Sequence, residues 1–349
     1  MSHSPWPRLF GAALDYLDDP RRLGLKLAYL EAQAKGNLSP ELPRDPYDAL
    51  APLIKARLKG RATLAGKLEV PGRFTPRPPP EDSPHINQRD CREFMDAGGP
   101  YLTARSCGKQ ALAALPEVPL MIGVDHGLCA GPIAALASRH GKESLAVVVL
   151  DSHFDAIAPE ERSGDAEAAR CGRGLCGDFL GELLKQEEIS PELLFVAGVG
   201  DKPAKPSHTG EFGRAYHDWI EKGVKVYTRA EAQNPGFPER LVRDFMRCGA
   251  CSLYVSLDAD VGSCASMNAV RFLADSGLDE HALLSIGYEL GRLVASGRME
   301  LAGADVCEID VHLLGLPDRH GQPDRTADIC ARFISTLFGD EAFRQGVKL

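Results

Sequence analysis

The chain has 349 residues, 44% of them hydrophobic and 26% charged, enough to bury one sizeable core or two modest ones. A net charge of −9 gives no electrostatic footprint for nucleic acid, and no apolar run reaches the roughly eighteen residues of a membrane span. The start of the chain lacks the charged and apolar regions of a signal peptide, and its ten cysteines follow no regular spacing, so a cytoplasmic protein with reduced thiols is expected.

Residues 1–60 are expected to form a helical N-terminal extension. Between Pro20 and Leu30 the spacing puts Leu23, Leu27 and Leu30 on one face, with Arg and Lys around it. Residues 61–90 read as a connection. A strand is expected from Ala62 to Val70, where Ala62, Leu64, Leu68 and Val70 share one side. The six prolines between Pro71 and Pro84 then predict an extended segment without helix.

From Cys91 helix and strand alternate. A helix through Lys109–Leu115 precedes a strand at Met121–Val124, and Gly131-Pro132 opens a helix before the aliphatic run Leu145–Val149. Further strands are expected at Leu193–Ala197, Val224–Tyr227, Leu253–Leu257 and Val306–Ile309, with a helix at Leu283–Val294 between the last two. This alternation predicts an α/β fold, a central, mainly parallel sheet flanked by helices in three layers. The pair Cys248 and Cys251 has the spacing of redox and zinc sites, but no second pair completes a zinc knuckle.

Three of the apolar runs end in clusters of acids and imidazoles. Leu145–Val149 leads to Asp151, His153 and Asp155; Met121–Val124 leads to Asp125 and His126; Leu253–Leu257 leads to Asp258 and Asp260. Ligands bind at the carboxyl ends of strands in open α/β sheets, and a spacing of two keeps side chains on one side. One such cluster is commonly a helix cap or a solvated loop. Three together offer, beside Asp125, four Asp and two His, a hard, oxygen-rich set suited to Mn²⁺ or another six-coordinate divalent ion. Six ligands suit two ions better than one, because four carboxylates balance two divalent charges.

The order Gly123-Val124-Asp125-His126, Asp151-Ser152-His153-Phe154-Asp155, Ser256-Leu257-Asp258-Ala259-Asp260 and Asp305-Val306-Cys307-Glu308 resembles the ureohydrolases, the superfamily of arginase, agmatinase and formiminoglutamase. The resemblance spans roughly residues 85 to 340 and makes residues 91–349 the catalytic domain, with an arginase-like fold. It implies that His126 and Asp155 help hold one ion, His153 and Asp260 the other, and that Asp151 and Asp258 bridge them. A hydroxide between the ions would attack a guanidinium or amidine carbon, Asp155 would pass a proton to the leaving nitrogen, and Glu308 would pair with the substrate's guanidinium. A trimer or hexamer is a further implication.

The departures from the family pattern concern the substrate. Asn-bearing loops that read a carboxylate are replaced by Ala156-Ile157-Ala158-Pro159, and a His-Gly by Leu175-Cys176-Gly177. A Gly-Thr-Gly-Thr-Pro run gives way to Val261–Asn268, and an acidic pair is reduced to Asp201, with Pro203 where a second acid would stand. Cys176 is a poor stand-in for an imidazole, its unperturbed pKa being about 8.5. His312, four residues after Glu308, is the candidate substitute for proton transfer and substrate contact. The expectation is a metal-dependent C–N hydrolase acting on a small-molecule or side-chain guanidino group other than free arginine. The alternatives are a zinc-dependent amide deacetylase on a related fold, which counting the metals would separate, and a catalytically silent binding protein.

Overall fold

The aliphatic run ending at Leu150 shows how the fold is built. Leu145, Val147 and Val149 face one side of the sheet and Ala146, Val148 and Leu150 the other, and all six are buried. A strand covered on both faces needs no polar side, which is why its sequence does not alternate. Each such Val or Leu contributes roughly 2 kcal/mol by leaving water.

The computed structural model describes residues 6–39, 41–157, 176–203, 210–317 and 321–339. Ala158, Pro159 and Leu175 lie outside the described residues. Eight parallel strands form one sheet: β1 (Pro7–Ala12), β2 (Thr63–Lys67), β3 (Val118–Gly123), β4 (Leu145–Leu150), β5 (Leu194–Val199), β6 (Lys225–Thr228), β7 (Ser252–Asp258) and β8 (Glu300–Cys307). Their order is β2-β1-β3-β8-β7-β4-β5-β6. The chain passes from β3 to β4, builds outward to β6, and returns to lay β7 and β8 into the gap between β4 and β3.

Helices cover both faces and complete the three layers. Pro46–Arg57, Phe237–Arg247, Glu280–Ala295 and Thr326–Leu337 pack on the face carrying Val148 and Val255. Pro20–Ala34, Gly99–Ala114, Ala130–His140 and Phe179–Lys185 pack on the other, with Val147 and Tyr254. Aspartates start several of them: Asp19 accepts from Arg22 N–H at 2.9 Å and Asp279 from Ala282 N–H at 2.8 Å.

The N-terminal region departs from expectation. It supplies two helices, but also β1, which lies inside the sheet between β2 and β3 and is hydrogen-bonded to both. This six-residue strand begins at Pro7 and contains Gly11, so propensity alone did not mark it; its burial comes from neighbours far along the chain. In helix Pro20–Ala34, Leu23 and Leu30 are buried but Leu27 is 42% exposed, and Arg22 and Lys26 are buried instead. Those two cations reach carboxylates beneath the helix, described below.

β2 is an edge strand shorter than expected, and of the expected apolar face Ala62 is buried and Leu68 and Val70 pack partly against the core, while Leu64 is 42% exposed. The proline-rich stretch is not wholly extended either. It contains two short 3₁₀ segments, Gly72–Phe74 and Pro80–His85, which proline tolerates because its fixed φ suits a first turn. The expected strand Val306–Ile309 ends at Cys307, leaving Glu308 beyond it.

Helices Gly99–Ala114 and Ala130–His140 cross at Gly131, where a Cβ would overlap the Ala104 carbonyl, whereas a Cβ on Gly24 would meet nothing within 4 Å. Gly131→Ala should therefore destabilise by about 3 kcal/mol, since backbone cannot move aside as a side chain can. Gly24→Ala, in a helix interior, should be neutral or stabilise by up to about 1 kcal/mol. Urea unfolding of the two variants checks the contrast.

Candidate functional site

β3, β8, β7 and β4 are adjacent at the centre of the sheet, so whatever follows their carboxyl ends is brought together. Leu150 pairs with Leu257, which sets Asp151 beside Asp258. Ile122 pairs with Val306, which brings Asp125 and His126 beside Glu308. All six side chains expected as metal ligands converge. His126 Nδ1 lies 3.1 Å from Asp151 Oδ2, 3.3 Å from Asp155 Oδ2 and 3.0 Å from Asp258 Oδ2. His153 Nδ1 lies 3.1 Å from Asp260 Oδ2 and 3.6 Å from Asp151 Oδ1.

Each of three aspartates divides its labour in the same way. Asp151 Oδ1 accepts from His153 N–H at 2.7 Å, Asp258 Oδ1 from Asp260 N–H at 2.8 Å, and Asp260 Oδ1 from the Ser152 hydroxyl at 2.7 Å. One oxygen thus fixes the carboxylate to local backbone or a neighbour, and Oδ2 is turned inward. Asp151 Oδ2 is buried and accepts no hydrogen bond.

Two overlapping groups of candidate ligand atoms result, His126, Asp151, Asp155 and Asp258 in one and Asp151, His153 and Asp260 in the other, each within 4.8 Å of one another. The residues fit a pair of divalent cations, because oxygen and imidazole donors gather in two groups that share Asp151, whose inward oxygen accepts no hydrogen bond and meets the His126 ring at 3.1 Å.

The electrostatics of the cluster itself point the same way. Burial pushes the Asp155 carboxyl up to about 7, and the neighbouring charge of Asp151 adds to that. Asp258 is pushed up by burial and by Asp260 and Asp151. Burial opposes a charged imidazole, yet the carboxylates of Asp258, Asp151 and Asp155 outweigh it and hold His126 well above its usual range, while Asp151 and Asp260 raise His153 to about 12. Protons on the two histidines therefore offset part of the charge that cations would neutralise.

A second layer fixes the first. His126 Nε2 is 2.9 Å from Ser256 Oγ, which donates to Asp305 Oδ1 at 2.8 Å; the Tyr254 hydroxyl donates to Asp305 Oδ2 at 2.7 Å. With Nε2–H donating to Ser256, Nδ1 is left to face the carboxylates. Phe179 packs edge-on against the His126 ring at 4.7 Å. Asp155 and Glu308 both adopt left-handed backbone, with φ of 49° and 62°. Such a conformation costs on the order of 1 kcal/mol in a non-glycine residue and persists where surrounding structure imposes it.

Glu308 is buried next to the cluster. Its Oε1 accepts from His126 N–H at 2.8 Å, and both of its oxygens lie 3.0 Å from one guanidinium nitrogen of Arg271. Arg271 was not singled out in the sequence. It follows the loop that replaces the glycine-rich run, and only a pairing between Val270 and Ile309 carries it under Glu308. The same guanidinium reaches Asp15 Oδ1 at 2.9 Å and Asp125 Oδ2 at 3.3 Å. Lys26 pairs with Asp15 Oδ2 at 3.4 Å, and Arg22 donates to the Arg271 carbonyl at 2.6 Å, so the N-terminal helix is tied to this layer. Burial pushes Glu308 up to about 8 even though Arg271 opposes it.

The remaining expected site residues separate. Cys176 is brought within 4.8 Å of carboxylate oxygens of Asp125 and Glu308, and its thiol is pushed well up by burial and by those charges, which keeps it protonated. His312 is tied elsewhere: its Nε2–H donates to the Pro76 carbonyl at 3.0 Å and its ring meets Tyr29. Burial pushes it below the usual imidazole range. Ile157 is fully buried in the core. A cavity of about 450 Å³ is lined by Gly200, Lys202, Arg229, Gln233 and Asp279 among others, and Gly200 N–H donates to the carbonyl of Ser152, the residue before His153.

The model of the Arginase family matches residues 85–339. Among solved structures, the chain is similar to arginase from Bacillus caldovelox, with 17% identity, 96% of this chain and 98% of that one covered, and a TM-score of 0.60. It is similar to proclavaminate amidino hydrolase from Streptomyces clavuligerus at 20% identity, covering 97% and 92% with a TM-score of 0.56. Formiminoglutamase from Trypanosoma cruzi, solved with Mn²⁺, aligns at 15% identity over 96% and 93% with a TM-score of 0.58. At these identities the structures establish a shared fold. Curated proteins gave no match. Among the described residues no helix is long and apolar enough to cross a membrane.

Metal-free protein titrated with Mn²⁺ should take up two ions per chain and gain thermal stability, by about 2.7 kcal/mol for a site at a hundredfold its dissociation constant. Asp151→Ala, which removes the carboxylate common to both groups, should lower both occupancies, and Asp260→Ala one. Elemental analysis after gel filtration gives the count; a single ion in the unaltered protein would contradict the two-centre arrangement.

Proposed function

This chain belongs to the arginase family, and we propose that it is a binuclear metal-dependent hydrolase of a guanidino or amidine C–N bond whose substrate is not free arginine. The convergence of all six candidate ligands at the carboxyl ends of three central strands, β3, β4 and β7, carries this reading. His126, Asp151, Asp155 and Asp258 would hold one cation and Asp151, His153 and Asp260 the other, with Asp258 bridging as the family resemblance implies. When bound, the cations, of which Mn²⁺ suits the oxygen-rich set, supply a water deprotonated near neutral pH and a positive field at the carbon under attack.

The chain's own groups do the rest. Ser256 and Asp305 orient His126 so that Nδ1, not Nε2, faces the centre. Asp155, held by a left-handed backbone shortly after β4, would take the proton that the attacking water gives up and pass it to the leaving nitrogen. The fixed oxygens of Asp151, Asp258 and Asp260 allow little reorientation, so the centre is set before substrate arrives.

Exclusion of free arginine rests on three local features. Ile157 is core, the Cys176 thiol stays protonated where the family has an imidazole, and Lys202 and Pro203 follow Asp201 where an acid would meet an α-amino group. The reading therefore favours a guanidino compound without the α-amino acid end, or an arginine side chain within a larger molecule. The cavity bordered by Gly200 and Lys202 is available for the remote part of such a substrate, from which binding energy can be drawn.

A panel of guanidino and amidine compounds incubated with Mn²⁺-loaded protein should release urea or ammonia from at least one member, with free arginine slower by about a hundredfold or more. Asp155→Asn should lower kcat by about 10² to 10⁴. No release from any compound by protein holding two ions per chain would remove the hydrolase reading.

A further inference from the structure

We infer that Arg271 is a specificity-determining residue: its buried guanidinium occupies Glu308, the carboxylate a substrate guanidinium would otherwise take, and so bars small guanidinium compounds from the centre. The inference rests on the reading of this centre as a hydrolase of guanidino or amidine groups and explains how that hydrolase refuses free arginine.

The geometry is that of an occupied binding site. One Arg271 nitrogen lies 3.0 Å from each Glu308 oxygen, 3.3 Å from Asp125 Oδ2 and 3.1 Å from the Val124 carbonyl, and the other donates to Asp15 Oδ1 at 2.9 Å. The third group, Nε–H, is buried without an acceptor. The side chain is fully buried, and the backbone N–H of Arg271 donates to the Glu308 carbonyl at 2.9 Å, which fixes the residue to the strand end it serves. Glu308 Oε1 is engaged a second time by His126 N–H at 2.8 Å.

A substrate guanidinium would need the same oxygens and would bring a second positive charge beside the first. Both costs fall on the ligand. A substrate fork would need both Glu308 oxygens, and one Arg271 nitrogen already engages the pair. Like charges at this separation in a dry pocket repel strongly. Leaving is no cheaper for Arg271, because Asp15, Asp125 and Glu308 would lose their shared cation. A C–N group reaching the metal centre must then be held by something other than Glu308, and a substrate with a large remote portion can provide that, whereas methylguanidinium or free arginine cannot.

The probe is methylguanidinium, titrated calorimetrically into metal-free and Mn²⁺-treated protein, so that neither turnover nor metal is needed for a signal. The unaltered chain should show no saturable binding. Arg271→Met should bind at least about tenfold tighter, and Arg271→Met/Glu308→Gln should lose that gain. Arg271→Gln, which keeps a donor for Glu308 without the charge, serves the same comparison if the Met variant does not fold. Saturable binding to the unaltered chain that Glu308→Gln abolishes would show that Arg271 yields to the ligand and would overturn the inference, as would a folded Arg271 variant that binds no better. Failure of the hydrolase reading, seen as absent metal uptake and no product release, is a separate result and leaves the methylguanidinium comparison standing.

Discussion

Four aspartates buried within reach of one another are the constraint to which this structure answers. Left unpaired, they would repel and unfold the sheet's carboxyl edge or remain protonated. The chain meets this by giving one oxygen of Asp151, Asp258 and Asp260 to a backbone N–H or a serine hydroxyl and placing two imidazoles against the others. The arrangement is stiff in its covalent frame and unfinished in its charge. That combination explains why the strands that carry it, β3, β4 and β7, are central ones, buried on both faces, and not the edges β2 and β6.

Behind the aspartates lies a second polar layer with the opposite character. Arg271, Arg22 and Lys26 are set among Asp15, Asp125, Glu308 and Asp310, so cations and carboxylates meet directly. This layer closes on itself. It joins the loop after β1, the helix Pro20–Ala34, the end of β3, the loop after β7 and the end of β8, five segments separated by up to 295 residues between Asp15 and Asp310. The N-terminal residues are therefore part of the ground on which the centre stands, and the helix that buries Lys26 while exposing Leu27 is held by charge pairing as well as by the apolar contacts of Leu23 and Leu30.

Much of this was legible in the sequence because the chemistry follows local rules. An aliphatic run ending in an acid marks a buried strand and what lies at its tip, and a spacing of two marks side chains that share a side; His126, Asp151, His153, Asp155, Asp258 and Asp260 were found in that way. Other features depended on neighbours that no local pattern records. β1 is too short and too rich in Pro and Gly to announce itself, the burial of Ile157 depends on helices packed over it, and His312 finds Pro76 only because a distant segment folds back. Arg271 is the clearest case. It stands in an unremarkable loop, and its meaning comes from a single pairing between Val270 and Ile309 that no residue spacing encodes.

The late placement of β7 and β8 has a consequence for how the molecule is made. Until residue 252 has left the ribosome, β3 and β4 have no partner on their facing edges, and after that the strands from two ends of the message must be knitted around a pair that was synthesised last. Between the synthesis of β5 and that of β7 the nascent chain therefore carries two half-sheets with sticky inner borders, and His126, Asp151 and Asp155 wait, already translated, for the acids that will stand across from them. Whatever guards those borders during translation also guards the assembly of the centre.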